Sequence, residues 1–438
     1  MTTAVTFSHE MIVAGCIFLC AYILIFSEVI HRTSAAIMGA VVMVGVGMWQ
    51  GFYTQEAALK AIDANTILLL MGMMLLITLL KPTGGFEYLA IRIAKLAKGS
   101  SLRLLIYLSL SVSVISMFLD NVTTVLIFAP LTVLITRLVK LNPLPFLMAE
   151  AMMSNIGGIA TLIGDPPNLM IGSAANIDFN QFIIHMLPVV TVAWVVGMGV
   201  FIFMFRTELN SDHNFGELQL DESKAIKDPK KLRYILVVLM VVILLFFTHH
   251  HFHLYPAFVA LIGVALALPL MRPHPAELFG EVEWSVLIFF AGLFVIVGGL
   301  EASGMLDLAG EQLAHLASQP NMLLITCLAV LWVAAILSAV VDNIPFTVTM
   351  IPIILSLESQ NINITPLWWA LALGAGLGGN GTHIGATANI ICVAESERSG
   401  IAEARITPAI WLKKGLPTTF VSLIVASIMF YFLFDFLS

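Results

Sequence analysis

Two stretches decide the fold. The first is Gly157-Gly158-Ile159-Ala160-Thr161-Leu162-Ile163-Gly164-Asp165-Pro166-Pro167-Asn168, and the second is Gly378-Gly379-Asn380-Gly381-Thr382-His383-Ile384-Gly385-Ala386-Thr387-Ala388-Asn389. They lie 221 residues apart and agree at six of twelve positions. Asp120-Asn121 matches Asp342-Asn343, and Pro130 matches Pro352, at a separation of 222. The chain is therefore an internal repeat. Paired Gly, Pro-Pro, Asn and Asp break a helix, yet here they sit inside long apolar runs. Irregular backbone at bilayer depth is tolerated only where it is buried in protein or lines a cavity. Both stretches are therefore expected to be interruptions in discontinuous helices.

The surroundings support that reading. Of 438 residues 59% are hydrophobic and 11% charged, against about a quarter charged in a soluble domain. Apolar runs fall near 11–30, 35–51, 65–81, 102–139, 145–175 and 181–206. After a polar stretch at 207–231 the order recurs near 232–248, 255–271, 284–300, 321–356, 366–394 and 410–436. Each can cross a hydrocarbon core about 30 Å thick. The first follows a start without Lys or Arg and lacks a small-residue cleavage site, so it reads as a membrane helix.

Charge placement threads the spans. If 102–139 and 321–356 are re-entrant hairpins and the N-terminus lies outside, Arg92, Lys95, Lys98, Arg103, the 224–233 segment and the 398–414 segment all fall inside. Only Lys60 of the 20 basic residues lies outside. A single crossing by either hairpin would move basic loops to the wrong face. Ten crossings follow, with both termini outside, which is the periplasm if the membrane is a bacterial inner membrane. Five crossings separate equivalent points, so the second copy is inverted. The expected architecture is all-α and polytopic, with two inverted repeats of five transmembrane helices plus one re-entrant hairpin each. Residues 1–206 form the first repeat, 207–231 a cytoplasmic linker and 232–438 the second repeat.

The hairpin tips and helix breaks are expected to meet near the midplane. That centre holds Asp120, Asp165 and Asp342, with Asn121, Asn155, Asn168, Asn343, Asn380, Asn389, Thr123, Thr124, Thr161, Thr347 and Thr382. Intramembrane carboxyls are costly and mark function by default. Asp120 and Asp342 are read as proton- or cation-coupling groups. Asp165 is a third such candidate or a cap for the half-helix at Pro166, Glu150 a group at the cytoplasmic mouth or in the pathway, and His383 a titratable or structural group. The amides and hydroxyls are the candidate substrate ligands. The centre contains no Lys or Arg, which favours a cation-coupled carrier of a neutral or weakly charged polar solute.

The net charge of -7 argues against nucleic acid as a partner. Cys16, Cys20, Cys327 and Cys392 are scattered and read as core residues, and the His249–His253 run reads as an interfacial loop. No catalytic motif appears, so neither an enzyme nor a metal or organic cofactor is expected. The energy source would be a proton or sodium gradient.

SNIGGIATLIGDPPN at 154–168, DNIPFTVTMIP at 342–352 and LGGNGTHIGATAN at 377–389 resemble the ion transporter superfamily, in the branch of bacterial arsenite permeases and the melanosomal P protein. The resemblance spans the whole chain. It implies a scaffold domain, a transport domain that moves as an elevator, and a homodimer as in some relatives. It also implies proton-driven efflux of arsenite or antimonite, with an ATPase partner by family analogy. Sodium/proton antiport, dicarboxylate transport and an anion channel are the alternatives. Ser154-Asn155 is followed by Ile156, so the Ser-Asn-Thr motif of dicarboxylate carriers is not intact.

Overall fold

A computed structural model describes residues 7–27, 29–209, 222–319, 322–340, 342–360 and 362–438. Among the described residues the fold is helical throughout, with no strand. Backbone groups in lipid need partners within their own segment, and helices supply them.

The first half holds α1 (His9–Ser27), α2 (Arg32–Gln50), α3 (Ala64–Leu80), α4 (Gly85–Leu96), α5 (Ser101–Ser116), α6 (Asn121–Leu138), α7 (Leu144–Gly158), α8 (Pro166–Ala175) and α9 (Phe179–Met204). The second half repeats the series as α10 (Pro229–Thr248), α11 (Pro256–Met271), α12 (Trp284–Ala302), α13 (Met305–Ala317), α14 (Leu323–Val340), α15 (Asn343–Glu358), α16 (Thr365–Gly378), α17 (Thr387–Arg398) and α18 (Leu416–Phe432). Each helix has its counterpart in order. The expected linker contributes short helices at Arg206–Leu209 and Glu222–Ala225, while 210–221 lie outside the described residues.

Local chemistry sets the helix starts. Asp63 caps α3 through the Asn65 and Thr66 amides, Asp178 and Gln181 form a capping box on α9, and Asp228 caps α10 through the Lys231 amide. Proline opens α8, α10 and α11, where its missing N–H costs nothing.

Packing repeats the symmetry. α2 lies on α12, and α3 lies on α11. A Cβ on Gly72 would stand 2.9 Å from Ala260 Cβ, and one on Gly292 would stand 3.0 Å from Ala36. Small residues let these backbones approach. Helices α1–α3 and α10–α12 pack together as one body, in the place of the scaffold that the resemblance implies. Helices α5–α8 and α14–α17 form the other, with α5 on α7 and α14 on α16. Among the described residues nine helical stretches have the length and composition to cross a membrane. Asn121–Leu138 and Leu323–Val340 are among them, but their tip ends stop at the helix breaks, which identifies them as arms of re-entrant hairpins.

The outward faces are apolar, as on α1, where Leu19 and Ile23 are exposed. Cys16 and Cys20 share that exposure, and only Cys327 and Cys392 are buried. The expectation of four core cysteines is corrected for the pair on α1, which face outward into the lipid.

Candidate functional site

The two breaks are built alike. Gly158 and Gly164 press together so closely that a Cβ on either would lie 2.5 Å from the other's carbonyl oxygen. Asn168 donates across the first break to the carbonyls of Gly158 at 3.2 Å, Ile159 at 3.3 Å and Thr161 at 2.9 Å. Asn389 donates across the second to Gly379 at 2.8 Å and Thr382 at 2.9 Å. Thr161 and Thr382 then tie each break to the neighbouring hairpin, donating to the carbonyls of Met117 and Ala339. Ser116 and Ser338 repeat the link, donating to the carbonyls of Ser154 and Ala375. These side chains satisfy backbone that the breaks leave unpaired.

The hairpin tips meet at the first break. Asp165 is buried and accepts Asn121 Nδ2 at 3.4 Å and Asn343 Nδ2 at 3.1 Å, one amide from each tip. It makes no cap bond to α8, so the alternative role as a cap is set aside. Asn121 also donates to Asn155 Oδ1 at 3.0 Å. Asn155 in turn donates to Asn380 Oδ1 at 2.7 Å and Asn389 Oδ1 at 3.0 Å. An amide chain thus joins both hairpins and both breaks.

The paired aspartates differ. Asp120 caps α6, accepting the Thr123 amide at 2.8 Å and hydroxyl at 2.6 Å. Asp342 makes no cap bond and instead meets Arg32 Nη1 at 3.1 Å and the Thr387 hydroxyl at 3.3 Å. The expectation that no Lys or Arg reaches the centre is therefore corrected. Arg32 opens α2 and lies 310 positions from Asp342, a pairing no local pattern could announce. Its place in a polar break between two apolar runs was the only sequence signal.

The remaining candidates divide. Thr347 donates to the Asn343 carbonyl at 2.8 Å within its own helix, and Thr124 is buried with a 3.5 Å contact to the Leu119 carbonyl. His383 lies half-buried in the second break and forms no hydrogen bond with the amide chain. Glu150 does not line a mouth. It is fully buried, one oxygen accepting from the Thr132 hydroxyl and the other, Oε2, without a protein partner. His249 accepts the Phe179 amide at 3.4 Å and pairs with the Leu254 carbonyl at 2.8 Å, so it is held structurally.

Four helix starts, those of α6, α8, α15 and α17, converge on the centre. Each carries about half a positive charge. Together with Arg32 they supply about three positive charges, against the three carboxylates Asp120, Asp165 and Asp342. With all three ionised, these formal charges nearly cancel without a ligand.

Comparison with known proteins agrees with this architecture. The chain is 39% identical to an uncharacterised transporter of Mycobacterium tuberculosis over 95% of this chain and 97% of that one. It is 31% identical to the human P protein, over 89% of this chain and 56% of that longer protein. The crystal structure of the YdaH transporter of Alcanivorax borkumensis, described as having an unusual topology, superposes with a TM-score of 0.63. It covers 98% of this chain and 99% of that one at 13% identity, so it bears on the fold alone. A family described as citrate transporter matches residues 22–374. The chain is a membrane transport protein that belongs to this citrate transporter family, CitMHS, within the ion transporter superfamily.

Proposed function

We propose that this protein is a proton-coupled secondary transporter exporting a small uncharged oxyacid, arsenite or antimonite. The body carrying Asp165 would move against the scaffold as an elevator. One observation carries the reading, namely the near-neutral charge balance around buried Asp165. Arsenous acid is an uncharged trihydroxy species at neutral pH and suits amide and hydroxyl partners. A tricarboxylate, which the family description suggests, would need a surplus of positive charge that this centre lacks. Asp165, Asp342, Asp120 and Glu150 are the proposed proton carriers. In a bacterial inner membrane, the basic segments would place both termini in the periplasm.

A second reading is sodium/proton exchange. Asn121 Oδ1 is buried without a partner beside the Asp165 carboxyl, and carboxyl and amide oxygens are the ligands such a cation takes.

Everted membrane vesicles energised to an acid interior test both. Uptake of labelled arsenite should collapse with a protonophore and be lost in Asp165→Asn and Asp342→Asn. If arsenite is not accumulated while added sodium dissipates the proton gradient, the protein is the exchanger.

A further inference from the structure

The Arg32–Asp342 pair joins the two bodies. Arg32 belongs to the scaffold, its guanidinium 5.4 Å from the Phe289 ring centroid on scaffold helix α12. Asp342 belongs to the tip of the second hairpin. Arg32 also donates to the Thr387 hydroxyl at 3.2 Å, at the start of α17. Any sliding of one body past the other must break both contacts.

A small cavity of about 30 Å³ opens beside Arg32, lined by Arg32, Asp120, Glu283, Phe289 and Thr387 among others, while Asp342 sits behind its partners Arg32 and Thr387. That space admits about one water or a bare monovalent cation, and is too small for an oxyacid such as arsenous acid. The other charged or titratable groups nearby are Glu283 at the start of α12, Asp120 and Asp165 from the first repeat, Lys81 after α3, and His31 next to Arg32. Asp120 and Glu283 share this space with Arg32, so a small cation entering it would compete with Arg32 for carboxylates and loosen its hold on Asp342.

Among the described residues, the start of α11 carries proline and no Lys or Arg. Thr33 Oγ1 donates to the Ser285 carbonyl at 2.8 Å, and the Ala257 amide donates to Asn65 Oδ1 at 3.0 Å. Arg32 and Pro256 are the first residues of α2 and α11, the corresponding helices of the two repeats. Inverted repeats exchange roles when a transporter changes sides, so the exchanged arrangement has proline where this one has arginine.

We propose that Arg32 is a one-sided tethered counter-ion that holds the transport body in the arrangement seen here, and that a small cation neutralising Asp342 releases it. The proposal rests on the moving-body reading above but on neither choice of solute. The tether keeps an unloaded, charged Asp342 from being carried across, which enforces coupling.

The test is a distance measurement in the full chain. Dyes are placed on Lys60→Cys, on the scaffold, and Glu358→Cys, at the far end of α15, after the exposed Cys16 and Cys20 are changed to serine. The protein is reconstituted in nanodiscs, and single-molecule energy transfer gives the populations of the two arrangements. Without sodium at alkaline pH the parent should occupy mainly one arrangement. Sodium in one arm and acid in the other identify the releasing cation. Arg32→Gln and Asp342→Asn should each change the population ratio about tenfold before any cation is added, between the small effect of an exposed pair and the larger one of a buried pair. The double variant should go no further than either single change. A parent-like cation response in Arg32→Gln, or additive effects, would overturn the tether. A single distance in the parent under every condition would overturn the moving-body reading itself.

Discussion

Asn155→Asp is a nearly isosteric change that the amide chain should not tolerate. The Asn155 amide nitrogen donates to two oxygens, Asn380 Oδ1 and Asn389 Oδ1. Neither acceptor can turn over. The Asn380 nitrogen is engaged by the Met152 carbonyl at 3.0 Å, and the Asn389 nitrogen by the carbonyls of Gly379 and Thr382. An aspartate would therefore set a carboxylate oxygen against two fixed acceptor oxygens in a buried site. Two hydrogen bonds of about 1 kcal/mol each are lost, and each orphaned acceptor adds about 1 kcal/mol of desolvation or more, giving a loss of about 3–5 kcal/mol. The bond accepted from Asn121 would survive. Unfolding titrations in mixed micelles should register the loss, and acidification should recover part of it, because a protonated carboxyl can donate once. An Asn155→Asp protein within about 0.5 kcal/mol of the parent would refute the assignment of these amides and the reasoning built on them.

Gly164→Ala should cost about 3 kcal/mol, because the new Cβ would lie 2.5 Å from the backbone oxygens of both Gly158 and Ser116. Gly385→Ala should cost less, since its closest approaches are 2.7 Å and 3.0 Å, and comparing the two unfolding midpoints checks the order. A lipid-soluble maleimide should modify Cys16 and Cys20 and spare buried Cys327 and Cys392, as peptide mass analysis would show. Hydrogen bonding from Lys95, with further help from Arg92 at 3.1 Å, holds the Glu222 carboxyl below its ordinary range. This contact between α4 and the Glu222–Ala225 turn stabilises the fold above the pKa of a free glutamate and is lost as pH falls through the depressed value. Amide protection in that turn, corrected for the intrinsic exchange rate, should fall on acidification, and Glu222→Gln should abolish the pH dependence of that protection.

The repeat, the inversion, the hairpins and the two breaks were legible in the residues. Clustered glycines joined by Asp-Pro-Pro or by Asn and Thr disfavour a continuous helix, and the count of crossings between matched motifs follows from length and charge alone. These are properties of local backbone chemistry and of the bilayer, and neither needs a neighbour to act. The polar residues of the centre were also nameable, because a buried amide or carboxyl must be there for a reason.

Their division of labour was not legible. Asp120-Asn121 and Asp342-Asn343 are the same dipeptide at the same place in each hairpin, yet one aspartate caps its helix and the other pairs with an arginine on a different body. Asn168 and Asn389 stitch backbone, whereas Asn155 joins the halves. A hydrogen-bonding side chain accepts whichever partner packing brings within about 3 Å, and that choice depends on residues hundreds of positions away. The sequence by itself determined which groups must be buried and where the helices must break; only the tertiary structure decided which partner each buried group would find.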